Sequence, residues 1–301
     1  MQTKLLIEQH IHGAFGVDFN KAAPEDILYF AKELVKYGIG GFFPTLVTDN
    51  IMNIKHQIEV IKKAAAAQTS DMAKILGIHL EGIFLNAEKC GVHNPKYFLP
   101  PTIENYQKVE DPFIKIVTLA PEFDEGLIDY LNNRKVKVQA GHCISGHLNG
   151  VQGVTHLFNA MSGIPHRGKS TSLSALMNDN IYTEIICDGL HISDEALKLV
   201  FHTKPADKII LVSDSLPIAK SSLTEMIFSD SKVYYNGVKA TTKEGTIAGS
   251  TALLPDMIKW LHTYGLFNPQ YIKNPYNYHE IDLPGHIEWD DEWNILEVVL
   301  K

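Results

Sequence analysis

Arginine is almost missing from this chain. Of 27 basic residues among 301, only Arg134 and Arg167 carry a guanidinium, against 35 acidic residues and a formal net charge of −8. Such a surface repels nucleic acid and anionic membranes, so neither is expected as a partner. It also marks any arginine in a rigid loop, because the planar fork suits a carboxylate or phosphate. Cysteine is sparse too: Cys90, Cys143 and Cys187 are odd in number and scattered, which excludes a disulfide framework and fits reduced thiols. No apolar run is long enough to cross a bilayer, and no charged-then-apolar leader opens the chain, so a cytoplasmic location is expected. Low-complexity linkers and repeats with periods of tens of residues are absent as well.

What is present is an alternation. Eight β-rich runs end in polar or glycine residues: Leu5–His12, Ile39–Leu46, Ile75–Glu81, Ile114–Ala120, Val136–His142, Val154–Phe158, Thr183–Cys187 and Ile209–Ser213. Helical patterns lie between several of them. "PEDILYFAKELVKYG" has proline early and glycine past its end, and "SDEALKLVFH" opens on a serine N-cap candidate followed by acids. Eight strands alternating with helices predict a closed parallel (β/α)8 TIM-like barrel over residues 1–267, in which the active site is built at the C-terminal strand ends. Residues 268–301 do not follow this alternation and are expected to be a divergent C-terminal segment.

The strand ends carry His10 and His12, Glu81, His142, His156 and Asp214. On a strand, residues i and i+2 face one side, so "HIH" offers two imidazoles to one ion. Alone, the His10–His12 pair reads equally well as surface histidines, Glu81 as half of a salt bridge, and His142 and His156 each more readily as a hydrogen-bonded core histidine than as a ligand. Five strand-end imidazoles or carboxylates plus Asp214 of "ILVSDS" are better explained by a metal centre. Histidine, glutamate and aspartate donors suit Zn²⁺ or Fe²⁺, and Mn²⁺ or Co²⁺ also fits. Cys143 follows His142 on a strand, faces the other way and reads as a small buried hydrophobe. "YYNGVK" predicts a hairpin with an Asn-Gly turn in the long connection after the eighth strand, which "GTIAGST" closes.

Taken in order, "GIHLEG", "GVHNP", "TLAPE", "AGHC", "THLFNAM", "DGLHIS", "LVSDS" and "GTIAGS" resemble the N-acetylglucosamine-6-phosphate deacetylase family of the amidohydrolase superfamily, from about Leu5 to about Leu261. The resemblance implies a metal-dependent hydrolase barrel that removes acetate from a phosphorylated amino sugar and acts as a homodimer. It implies that Glu81, His142 and His156 hold the main metal and that Asp214 is the general acid/base. Val92, His93, Asn159, Ala160, Arg167, the segment Asp188, Gly189, Leu190 and His191, and Ile247, Ala248 and Gly249 are implied to contact substrate. Some relatives use one metal and lack the first-strand pair; His10 and His12 imply a second ion here, bridged through Glu81.

Three features depart from that family. Members usually carry a segment before the first-strand motif that joins C-terminal residues in a small β-sandwich. This sequence opens at the motif, and "GHIEWDDEWNILEVVLK" is expected to be a remnant of that sandwich. The usual Arg-Glu-Pro-Gly after "HLFNAM" is replaced by "HRGKS", which keeps Arg167. Residues 268–283 match poorly. Competing readings are an N-acetylgalactosamine-6-phosphate deacetylase, a dihydroorotase-like enzyme or deaminase, and a non-catalytic sugar-phosphate binder. "TLAPE" lacks the bridging lysine of the dihydroorotase type, "GHCISGH" lacks the glutamate of the deaminases, and a binder need not keep Asp214.

Overall fold

The computed structural model describes residues 1–301. All eight runs form strands: β1 (Leu6–Ile11), β2 (Ile39–Val47), β3 (Ile78–Glu81), β4 (Ile114–Leu119), β5 (Lys137–Ala140), β6 (Gly153–Val154), β7 (Tyr182–Ile185) and β8 (Ile209–Leu211). Each pairs in parallel with its sequence neighbour, from β1 round to β8. Every residue of β1, β2 and β3 is buried, as expected of parallel strands covered on both faces.

The barrel closes between β8 and β1 through loops and one buried carboxyl group rather than a full ladder. Glu8 accepts the N–H of His10 on Oε1 and that of Ser213 on Oε2, both at 3.0 Å. The Asp214 N–H then donates to the His10 carbonyl at 2.9 Å, and that of His12 to the Ser215 carbonyl at 3.0 Å. The β1–β2 register shifts between Glu8 and Ile11, and the Ile11 N–H freed there donates to Thr45 Oγ1 at 2.9 Å. Bulges of this kind re-aim side chains beside functional sites.

The outer helices follow from their caps and apolar faces. In α1 (Pro24–Val35), proline starts the helix, the Asp26 carboxylate accepts the Ala23 N–H, and Ile27, Phe30, Ala31 and Leu34 make the buried stripe. In α2 (Ile51–Ala66), Asn50 caps the N–H of Asn53 at 2.9 Å. The helices α3 (Ile103–Gln107), α4 (Leu127–Asn133) and α5 (Thr171–Leu176) are short. Helix α6 (Asp194–Thr203) opens on Ser193, whose hydroxyl accepts the Ala196 N–H, and α7 (Leu254–Thr263) follows the last loop of the mouth.

After β8 the chain makes a four-stranded antiparallel sheet, β9 (Glu225–Phe228), β10 (Ser231–Tyr235), β11 (Ala240–Thr242) and β12 (Ile247–Gly249). The Asn-Gly hairpin joins β10 to β11, with Asn236 Oδ1 accepting the N–H groups of Val238 and Lys239. A small apolar cluster including Phe228, Val233, Ala240 and Ala248 ties this sheet to Val47, Val92, Leu216 and Ile218.

Residues 268–301 supply α8 (Gln270–His279) and the strands β13 (Gly285–Trp289) and β14 (Ile295–Leu300). Helix α8 packs against β1 and β8. Asn274 Nδ2 donates to the carbonyls of Ala206 and Ile209, and the Tyr276 hydroxyl to that of Leu5. Strands β13 and β14 form an antiparallel pair to which Gln2–Thr3 adds an edge. No helix is long and apolar enough to cross a membrane.

Candidate metal centre and active site

Glu81 ends β3, and four imidazoles converge on its carboxylate. Oε1 lies 2.9 Å from His156 Nε2 and 3.2 Å from His142 Nε2. Oε2 lies 3.0 Å from His12 Nε2 and 3.3 Å from His10 Nε2. Asp214 Oδ1 faces the same first-strand pair, at 3.2 Å from His12 and 3.4 Å from His10. His93 Nε2 reaches Oε2 at 3.5 Å. Glu81 thus stands between two nitrogen pairs, one from β1 and one following β5 and β6.

Backbone conformation makes this convergence. His142, His156 and Asp214 lie just past their strands with φ of 48°, 30° and 48°, a left-handed region that side-chain-bearing residues seldom adopt. The pleat breaks there and the side chains turn into the mouth. Gly82 has φ of 141°, and a Cβ on it would strike the Thr48 hydroxyl. Because glycine leaves that space open, Thr48 Oγ1 can accept the Ile83 N–H and pair with His93 Nδ1 at 2.9 Å.

The ring hydrogens are committed elsewhere. His142 Nδ1 donates to the Lys89 carbonyl at 2.7 Å, His12 Nδ1 to the Thr45 carbonyl at 3.2 Å, and His10 Nδ1 to Glu184 Oε2 at 3.0 Å. In the neutral ring each Nε2 therefore aims a lone pair at a carboxylate. His10 Nε2 is buried without a hydrogen-bond partner, and the Nε2 atoms of His142 and His156 face one another at 3.2 Å. Lone pairs held this close to each other and to anions need a cation among them. Donors sharing one tetrahedral ion with bonds of about 2.0–2.1 Å stand about 3.3 Å apart. The donor set fits a divalent ion.

Without an ion, protons take its place between these groups. Burial pushes the Glu81 carboxyl up, but the charge of His10 and the close contacts of His12 and His142 outweigh it and hold it well below the ordinary range. For Asp214 burial is likewise outweighed, by His10 and His12, which bring it to about 2. Burial opposes charge on His12, yet its bonds to Asp214 and Glu81 raise it to about 9. His93 differs: burial and repulsion by His142 lower it to about 4 and leave it neutral near pH 7.

A cavity of about 400 Å³ opens above these groups. Of the residues expected to touch substrate, Val92, His93, Asn159, Ala160, His191, Ile247, Ala248 and Gly249 line it. Asp188 instead braces His191, accepting from its Nδ1 at 2.7 Å and from its backbone N–H at 3.0 Å. Gly189 and Leu190 lie outside the wall, as does Arg167, which is exposed on the loop between Gly163 and Lys169. The sequence reading missed Glu88, Lys89, Gly91, Phe228 and Thr246 on the wall, and Gln9, His79, Glu184 and His279 beneath it. Lys89 adjoins "GVHNP", and Glu184 is an acid inside an apolar strand, so both carried a signal. Phe228, whose ring packs edge-on to His12 at 5.2 Å, carried none. Cys143 is fully buried, and burial pushes its thiol up to about 12.

No family model matches the chain. Among curated proteins it is 33% identical over 259 residues to the N-acetylglucosamine-6-phosphate deacetylase of Bacillus subtilis, covering 81% of this chain and 65% of that protein. It is 30% identical over 282 residues to the Caenorhabditis elegans protein of the same name, covering 85% and 67%. The chain thus spans about two thirds of the length of these relatives. The crystal structure of the Thermotoga maritima N-acetylglucosamine-6-phosphate deacetylase superposes with a TM-score of 0.91 at 26% identity, over 99% of this chain and 87% of that one. The shared barrel and this level of identity across most of its length lead to one conclusion: the chain belongs to the N-acetylglucosamine-6-phosphate deacetylase family.

Proposed function

We propose that the chain hydrolyses the acetamido group of N-acetylglucosamine 6-phosphate, giving acetate and glucosamine 6-phosphate. The observation that carries this reading is the pairing of four imidazoles with Glu81 and Asp214 at the floor of a sugar-sized cavity. Glu81, His142 and His156 would hold one divalent ion, and His10, His12 and Asp214, on the other side of Glu81, would hold a second. Zn²⁺ and Fe²⁺ suit these donors, as do Mn²⁺ and Co²⁺.

A bound divalent ion activates water near neutral pH and draws charge from the acyl oxygen. The chain's own residues do the rest. Asp214, ionised and at the mouth, takes the proton of the attacking water and passes it to the departing amine nitrogen. Neutral His93, anchored on Thr48, steadies the acyl oxygen or a neighbouring sugar hydroxyl. His191, held by Asp188, and Lys89 meet the phosphate, and its binding orients the acetamide for attack. Asn159, Ala160 and the stretch Ile247–Gly249 shape the sugar pocket.

The test is acetate release from N-acetylglucosamine 6-phosphate and from its galactosamine epimer, before and after metal removal. Activity on the glucosamine substrate should vanish on chelation and return with a divalent ion. Activity that survives verified metal removal overturns the mechanism, and greater activity on the epimer reassigns the substrate.

A further inference from the structure

Beneath the proposed ligands, a chain of polar side chains runs from half-buried His279 into the buried barrel core. His279 of α8 donates through Nε2 to Gln9 Oε1 at 2.9 Å. Gln9 Nε2 donates to Glu184 Oε1 at 2.6 Å. Glu184 Oε2 accepts the ring N–H of His10 at 3.0 Å and the backbone N–H of His156 at 3.3 Å. Gln9 and Glu184 are both buried, on β1 and β7. Burying a carboxylate in a barrel core is costly unless it is fully paired, so its retention there calls for a reason.

We infer that Glu184, oriented by Gln9 and through it by His279, is the positioning residue that fixes His10 for metal binding. This rests on the two-ion reading above. An ionised carboxylate only accepts hydrogen bonds. Both Glu184 oxygens are engaged, so His10 is held with its proton on Nδ1. Its Nε2 lone pair must then face Glu81 and Asp214, where the structure leaves that atom without a hydrogen-bond partner. The same Glu184 oxygen ties down the backbone of His156, which has a left-handed φ of 30°. One side chain therefore braces a member of each nitrogen pair. Partners that orient a metal-binding imidazole typically change affinity by about 10–100-fold when removed. The amide of Gln9 keeps its direction because His279 donates to its oxygen, so α8, at the opposite end of the barrel from the mouth, takes part in holding the first-strand ligand.

The experiment is a Co²⁺ titration of metal-stripped full-length protein, followed by visible absorption and by counting bound cobalt. Wild type should take up a second equivalent. Glu184→Gln, nearly isosteric but able to donate toward His10, should weaken one equivalent by about 10–100-fold. The other equivalent should change far less, and the melting temperature of the metal-free protein should stay close to wild type. Should Glu184→Gln not fold, Gln9→Met decides by the same titration, with selective weakening of one equivalent expected. Two equivalents bound as in wild type by the folded variant overturn the inference. A wild type that binds no second ion overturns both the inference and the two-ion reading, whereas failure of the variant alone leaves that reading standing.

Discussion

Asp214 lies among the donors of the centre yet remains the only carboxylate there with appreciable exposure, 13% against 1% for Glu81. That places it where water and substrate arrive. Asp214→Asn keeps the shape and loses the proton acceptor, so kcat for acetate release should fall by about 10²–10⁴-fold. A variant that keeps most of its kcat would move the proton-transfer role to another group. The imidazoles give a second prediction, on pH. In metal-free protein His12 is raised from 6.5 to about 9 and His10 and His156 are also raised, so the folded state binds protons more tightly than the unfolded chain. The stabilisation is fully present below pH 6.5 and is lost as pH rises through about 9. The melting temperature of metal-free protein should fall across that window. Metal affinity should rise across it, because the ion displaces those protons. A melting temperature flat from pH 6.5 to 9 would show that the imidazoles are neutral without metal. At this scale the sequence was most legible where chemistry-bearing residues end strands, as with Glu81. It was least legible where a residue serves from below, as Gln9 and His279 do, because a polar side chain in the core leaves no spacing signature of its own.

Elements were read well where apolar runs were long and less well where backbone conformation interrupts them. The run Ile75–Glu81 is broken at Gly77, whose φ of 149° separates the short Lys74–Ile75 pairing from β3. The run Val154–Phe158 yields only Gly153–Val154, because His156 and Phe158 turn left-handed to build the site. Helix α8 gave little sign of itself: "QYIKNPYNYH" is polar and has Pro275 inside. Its place is determined by specific polar bonds, above all Asn274 Nδ2 to the Ala206 and Ile209 carbonyls. Asn274→Leu should take this donor from the buried Ile209 carbonyl and the half-buried Ala206 carbonyl and cost about 1–3 kcal/mol for each that finds no water. Denaturant unfolding measures the loss. If α8 is a brace beneath His10, the same variant should also weaken the second cobalt equivalent, whereas a helix that only covers the barrel end would cost stability alone.

At the scale of the whole molecule, the proposed reaction asks an acidic chain of net charge −8 to hold a phosphate. Lys89 is the only lysine or arginine lining the cavity, and Arg167 is exposed outside its wall. A solitary surface arginine contributes little within its own subunit. It gains a role if the chain pairs as a homodimer and the loop reaches the neighbouring cavity, the arrangement expected from the sequence resemblance. Two Arg167→Ala measurements test this. The KM for the phosphorylated sugar should rise steeply, while whatever turnover unphosphorylated N-acetylglucosamine gives with wild type should hardly change. Mixing Arg167→Ala with Asp214→Asn subunits should then restore activity. In random twofold pairing, half the dimers are mixed and one site in each is intact, so about a quarter of all sites should recover. Recovery of that size requires Arg167 to act across an interface. If the mixture shows only the residual activity of its components while sedimentation reports a dimer, Arg167 serves its own subunit's loop. The phosphate contact then rests on Lys89 and His191 of the wall alone.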